Sequence, residues 1–191
     1  KLKVNYVYVP NKREIYNWKR KSKIRLRKRD KILCAKYRKG HFEGVIDVMD
    51  RLLKLVKPKK IFMGEKDFQQ IFLIKKYLKK YYKSKIITCK TVRDNNKLAL
   101  SSRNFLLKSD DLIIAGKIAK NLINFKKKIT GKNNIKKIIR TKKSELNKAF
   151  KISIEYFDLR NVSTLKSSNK TKNAKIFIAY YLNKIRLIDN F

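Results

Sequence analysis

The stretch Phe62-Met63-Gly64-Glu65-Lys66-Asp67-Phe68-Gln69-Gln70 restricts the fold of this chain more than any other. An apolar run of strand type, Lys60 to Met63, leads into it. Gly64 offers a sharp turn that other residues resist. From Phe68 onward apolar residues recur at helical spacing, at Phe68, Ile71, Phe72 and Leu78. Strand, glycine turn and helix in that order make a corner, and in open α/β sheets ligands settle beyond the carboxyl ends of strands. Glu65, Lys66, Asp67, Gln69 and Gln70 load this corner with hydrogen-bonding groups.

The flanking sequence extends the pattern. Val4 to Val9 alternates valine and tyrosine and reads as a strand ended by Pro10. Lys23 to Arg27 alternates as a short edge strand would. Val45, Val48, Met49, Leu52, Leu53 and Val56 form one helical face, and Pro58 stops that helix. The helix after the corner is expected to reach about Tyr82, and Lys85 to Cys89 is a further strand. Residues 1–91 therefore read β-α-β-α-β, the order of a parallel sheet with crossover helices.

Residues 92–191 read differently. Asp94-Asn95-Asn96 is a turn cluster, and Leu98-Ala99-Leu100-Ser101-Ser102-Arg103-Asn104 follows it. Paired hydroxyls beside a planar guanidinium suit an anion-binding loop, and equally a helix-capping loop. Ser109 or Asp110 is expected to cap one helix, and Ile135 to Phe150 lines a second. Three strands close the chain, near Ser153–Leu159, Lys175–Tyr181 and Lys184–Ile188, the last two joined tightly at Leu182-Asn183. This half is a small α+β unit.

Lys and Arg number 53 against 14 Asp and Glu, a net charge of +39. The charge invites a nucleic-acid reading, as does the basic segment Asn11 to Arg29, where Tyr16 and Trp18 could stack on bases. The basic residues are nevertheless spread along the whole chain, and Lys, Ile and Asn are abundant together, as in a protein from an AT-rich genome. Glu65 and Asp67, at the heart of the strongest motif, would gain a polyanion-binding surface nothing. Cys34, Cys89 and the single His41 cannot form a conventional zinc site, and no metal site is expected. Both cysteines read as small buried thiols in a reducing cytosol. No stretch approaches the ~20 apolar residues of a membrane helix. The chain starts on Lys1 within strand-like sequence, which reads as a chain lacking its natural beginning.

Several blocks, in order along nearly the whole chain, resemble the pantothenate synthetase family. They are Gly40-His41-Phe42-Glu43-Gly44-Val45; Gly64 to Gln70; Thr91-Val92-Arg93 with Leu98 to Asn104; and Arg186-Leu187-Ile188-Asp189-Asn190. The resemblance implies an incomplete Rossmann-like nucleotide-binding domain of class I synthetase type, followed by a small α+β carboxy-terminal lid domain. It implies an ATP-dependent ligase that forms a pantoyl adenylate from pantoate and passes the acyl group to β-alanine.

The family's site maps onto Gly64, Glu65, Lys66 and Asp67 along ATP, Val92 toward the adenine, and Leu100, Ser101, Ser102 and Arg103 over the phosphates. Gln70 maps to pantoate. Lys66, Ser101, Ser102 and Arg103 are the implied catalytic groups. Mg²⁺ is expected with ATP, held largely by phosphate oxygens and water. A cytoplasmic homodimer is also implied, with no specific nucleic acid and no membrane. A nucleotidyltransferase of similar fold with another acceptor is the remaining alternative. His41 sits either at the rim of the pantoate pocket or in a structural hydrogen bond at a helix start.

One feature departs from the family: its histidine-x-glycine-histidine turn, which meets the ATP phosphates, has no counterpart beside the lone His41. These 191 residues alone are therefore expected to lack ATP–pyrophosphate exchange, and near-normal turnover in that assay would contradict the expectation.

Overall fold

The computed structural model describes residues 3–16, 24–132 and 134–191. Two compact units divide the chain: Lys1–Met63 with Gln69–Ile87, and Gly64–Phe68 with Thr88–Phe191. The corner at Gly64–Phe68 thus belongs with the second unit, although its flanking strand and helix lie in the first.

The first unit holds two short helices, α1 (Lys12–Ile15) and α2 (Cys34–Tyr37), then α3 (His41–Val56) and most of β1 (Lys60–Gly64), α4 (Phe68–Leu78) and β2 (Lys85–Cys89), whose residues Gly64, Phe68, Thr88 and Cys89 fall in the second. Gly40 starts α3 in the left-handed region, at φ 75°, a conformation glycine adopts without steric cost. The buried stripe is Phe42, Ile46, Asp47 and Leu53, so the face expected from periodicity is corrected: of its six residues only Leu53 is buried, Val45, Val48, Met49 and Leu52 are half-buried, and Val56 is exposed. Lys57 ends the helix just before Pro58, its N–H bonded to the Leu53 carbonyl. β1 and β2 form a two-stranded sheet. The N–H of Lys85 bonds the carbonyl of Lys59, so both strands start together and run parallel, joined by α4. Asp30, 4% exposed, is paired with Lys76 and accepts a 2.8 Å bond from the Tyr77 hydroxyl.

The second unit contains α5 (Ser109–Ile129), α6 (Ile135–Phe150) and an antiparallel sheet of β3 (Ser153–Asn161), β4 (Ala174–Leu182) and β5 (Ile185–Asn190). Ala115, Ile118 and Leu122 of α5 and Ile139 and Leu146 of α6 join Phe157, Ile176 and Ile178 of the sheet in one apolar cluster. β4 and β5 turn through Asn183 and Lys184, both at positive φ (44° and 67°), as a two-residue type I′ hairpin requires. Asn183 Nδ2 donates a 2.7 Å bond to buried Asp111 in the first turn of α5, which fixes the hairpin tip.

Several expectations need correction. Val4 to Val9 is not a strand: Val4, Tyr6, Val7, Tyr8 and Val9 are exposed, and among the described residues no neighbour bonds their backbone into a ladder. Ile24 to Arg27 is not an edge strand either. The Leu26 N–H goes to the Glu43 carboxylate and the Arg27 N–H to the Tyr77 hydroxyl, so side chains take the bonds a ladder would use. Trp18 and Lys23 lie outside the described residues. Helix α4 stops at Leu78 rather than Tyr82, whose hydroxyl bonds Asp50 of α3 instead. Lys108, not Ser109 or Asp110, occupies the cap position of α5, and the two acids Asp110 and Asp111 lie inside its first turn, where they meet the positive end of the helix dipole. The hairpin turn is one residue later than Leu182-Asn183. Cys34 is buried but Cys89 is exposed.

Gly116 marks a contact that periodicity does not reveal. A Cβ there would lie 2.7 Å from Asn96 Cβ and 3.1 Å from the Asn96 carbonyl oxygen, so α5 presses directly on the Asp94–Asn96 turn. Gly116→Ala should cost about 1–3 kcal/mol by overpacking, read from the urea midpoint, and an unchanged midpoint would contradict that close approach.

Candidate active site

The corner is built without strain. Gly64 has φ −69° and ψ 128°, ordinary extended backbone, and an added Cβ would meet nothing within 4 Å. The expectation that Gly64 is needed for a sharp turn is therefore corrected: a short 3₁₀ turn, Glu65–Asp67, makes the bend. The carbonyls of Glu65 and Lys66 both accept from Asn190 Nδ2, at 2.9 and 3.0 Å. Lys175 pairs with Glu65 at 3.0 Å. Phe68 closes the corner edge-on against Phe177, with ring centroids 5.5 Å apart.

The loop beyond β2 is a small hairpin. Leu100 N–H bonds the Val92 carbonyl at 3.0 Å, and Asp94 N–H bonds the Leu98 carbonyl at 2.9 Å. Lys97 turns it at φ 70°. Arg93 anchors its base through a two-pronged ion pair with Asp189, at 2.7 and 2.9 Å, and also bonds the Lys97 carbonyl. The Phe191 ring lies beneath the guanidinium, 4.9 Å from its carbon. Burial pushes the Asp189 carboxyl above its ordinary range, against the opposing pull of Arg93. Ser101 then caps a 3₁₀ turn, Ser102–Leu106, accepting from the Arg103 N–H at 3.3 Å. Arg103 Nη1 bonds the Arg186 carbonyl at 3.1 Å, and Asn104 Nδ2 bonds the Ala99 carbonyl.

Corner, loop and sheet meet in a narrow cleft. Lys66 enters from the corner; Ser101, Arg103 and Asn104 from the loop; Tyr180 and Asp189 from β4 and β5; Leu98 and Leu187 back it. The cleft leaves space for about one water. Neither Lys66 nor Arg103 forms an ion pair among the described residues, whereas neighbouring Arg93, Lys175 and Arg186 are all paired to carboxylates. Two cations in no close ion pair beside a hydroxyl are a donor set for an oxyanion, with Asp189 of the same cleft sensing the charge of Lys66. Burial, reinforced by Asp189, raises the Tyr180 phenol, which therefore keeps its proton.

The cleft thus unites Lys66, Ser101 and Arg103 of the predicted residues. Glu65 is half-buried, and Gly64, Asp67, Val92, Leu100 and Ser102 are exposed; all six belong to the same unit but do not line the cleft. Gln70 belongs to the first unit, half-buried, next to buried Gln69, whose Nε2 donates to the Ile32 carbonyl. His41 is the first residue of α3, its ring 4.9 Å from that of Phe42. Sequence reasoning missed Arg93, Asn104, Tyr180, Asp189 and Asn190 as site residues. Asp189 did leave a trace: a carboxylate two residues after buried Leu187 in a closing strand shares its face.

The layers define an α/β protein with an appended antiparallel sheet, its cleft lined by Lys66, Ser101 and Arg103. A profile of the pantoate-β-alanine ligase family matches residues 1–191. The chain is 37% identical to a pantothenate synthetase of Flavobacterium psychrophilum, over 96% of this chain and 67% of that protein. It is 38% identical to one from Azobacteroides pseudotrichonymphae, over 97% and 68%. Among solved structures, pantothenate synthetase from Thermus thermophilus superposes with a TM-score of 0.85 at 25% identity, covering 95% of this chain and 67% of that one. Francisella tularensis pantoate-β-alanine ligase, solved with β-γ ATP and β-alanine, gives 0.66 at 34% identity, covering 88% and 56%. The chain belongs to the pantoate-β-alanine ligase family, and it spans about two thirds of the length of the first two relatives.

Asp189→Ala would leave the Arg93 guanidinium, whose side chain is only 19% exposed, without its counter-ion. The variant should lose about 3–5 kcal/mol in urea unfolding, and parent-like stability would show that the pair contributes little.

Proposed function

We propose that this chain carries the phosphate-handling part of an ATP-dependent ligase that joins (R)-pantoate to β-alanine. The observation that carries the reading is the meeting of Lys66, Ser101 and Arg103 in one cleft, with neither cation in an ion pair among the described residues. The Francisella relative solved with ATP and β-alanine supports it. In the proposed reaction a pantoate carboxylate oxygen attacks the α-phosphorus of ATP and pyrophosphate leaves. The β-alanine amine then attacks the acyl carbon, loses a proton, and AMP departs, giving pantothenate.

Each step asks for specific groups. Negative charge grows on phosphate oxygens in the first transition state, and a preorganised donor near such charge is typically worth about 10²- to 10³-fold in rate. Lys66 and Arg103 supply such donors, and Ser101 and Ser102 add neutral ones. Gly64, Glu65 and Asp67 run along the nucleotide, and the open space at Gly64 lets a ligand approach the backbone. Val92 and Leu100, both exposed, close over the adenine side and the phosphates. Gln70 bonds pantoate without adding charge. Mg²⁺ travels with the nucleotide on phosphate oxygens and water; among the described residues no three His, Cys, Asp or Glu side chains gather to hold an ion.

Residues 1–91 serve nucleotide and pantoate in this reading, and 92–191 act as the lid. The working enzyme is a cytoplasmic homodimer, and among the described residues no helix is long and apolar enough to cross a membrane.

Isothermal titration with ATP tests the assignment. Lys66→Ala and Arg103→Ala should each weaken binding at least tenfold, with a loss that shrinks as salt rises. Parent-like affinity in both variants would remove the site.

A further inference from the structure

The last two residues of β5 hold both arms of the cleft, and neither has a role in the reaction proposed above. Asn190 is 3% exposed and its side-chain amide is fully used. Nδ2 donates to the carbonyls of Glu65 and Lys66 at 2.9 and 3.0 Å. Oδ1 accepts from Lys175 Nζ at 3.1 Å, and the same ammonium pairs with Glu65. Two adjacent carbonyls gripped by one donor group fix the peptide planes on both sides of the Lys66 Cα. That sets the direction in which the Lys66 side chain leaves the backbone.

Asp189 performs the matching task for the loop. Its two oxygens receive the Arg93 fork, and the Asn190 N–H closes onto one of them at 2.7 Å. Arg93 also reaches the Asn190 carbonyl at 3.3 Å. The isolated bridge of Arg93 with Ala99 passes this anchorage to the strand that leads into Ser101 and Arg103. The sheet fixes the pair in turn. Asn190 lies opposite Phe177, which packs against Phe68, so one register holds the corner from two sides.

We propose that Asp189 and Asn190 are positioning residues: Asn190 aims Lys66, Asp189 aims the Arg103 loop through Arg93, and together they set the spacing of the two cations. The inference rests on the reading that the cleft takes the phosphates of ATP. The residues touch no phosphate themselves.

A thermodynamic cycle tests it. ATP, tripolyphosphate and adenosine are titrated into the parent, Asn190→Leu, Lys66→Ala and the double variant. Leucine is close in shape to asparagine and removes the donor without adding charge. Asn190→Leu should weaken ATP and tripolyphosphate roughly tenfold and leave adenosine unchanged, and the double variant should bind ATP no more than about twofold worse than Lys66→Ala alone. Additive losses, or equal losses for adenosine, would mean that Asn190 serves only general stability and would overturn the proposal. Parent-like ATP binding by Asn190→Leu beside a weakened Lys66→Ala would overturn it while leaving the ATP site intact. Parent-like binding by Lys66→Ala, or no ATP binding by the parent, would overturn the site itself and the inference with it. If Asn190→Leu fails to fold, Asp189→Asn paired with Arg103→Ala gives the same cycle, with the same coupling expected and additivity again fatal.

Discussion

The buried pair of Arg93 and Asp189 is the interaction on which the geometry of the cleft depends. It joins residues 96 positions apart, at the start of the loop and near the end of the chain. Burial raises the Asp189 carboxyl and so works against its charge, while the Arg93 fork, the Asn190 N–H and Lys66 pull the other way. A buried ion pair is a poor source of net stability, because desolvation offsets most of its attraction. It is a strong source of definition, since breaking either side strands a charge. Here that definition is applied where the loop meets the sheet.

The charge balance gains meaning from this arrangement. Acids are scarce in a chain of net charge +39. In the second unit Asp189 holds Arg93, Glu65 holds Lys175, and Glu155 holds Arg186. Each neutralises a basic side chain that has a structural task. Lys66 and Arg103 form no ion pair among the described residues, although Asp189 lines the same cleft and feels the charge of Lys66. Spread over the rest of the surface, the excess charge would favour salt-sensitive, nonspecific attraction to polyanions, which a single cleft does not need.

Much of the frame was legible in the sequence because it is local. The β1–turn–α4 order and the final hairpin follow from residues close along the chain, whereas the buried stripe of α3 shares only Leu53 with the face its spacing suggests. The parts that were not legible depend on distant partners. Val4 to Val9 has the pattern of a strand, yet pairing needs a neighbour, and none among the described residues bonds it. The backbone of Leu26 and Arg27 is claimed by Glu43 and Tyr77, which no local pattern announces. Gly64 looked essential for a turn that ordinary backbone makes, whereas Gly116, in mid-helix, is the glycine at which an added Cβ would clash. Within the cleft, Lys66, Ser101 and Arg103 stood out as charged or hydroxyl groups in loops. Asp189 and Asn190 did not, because a strand residue shows its function only once the register is known.

The most direct measurement is an amide and side-chain NMR titration of this chain with ATP. The shifts should concentrate on the backbone of Lys66 and Asp67, on Ser101 to Asn104, and on the Asn190 side-chain amide, and should saturate together with one affinity. Shifts scattered over the exposed lysines, with Lys66 and Arg103 unmoved and no common saturation, would contradict the account.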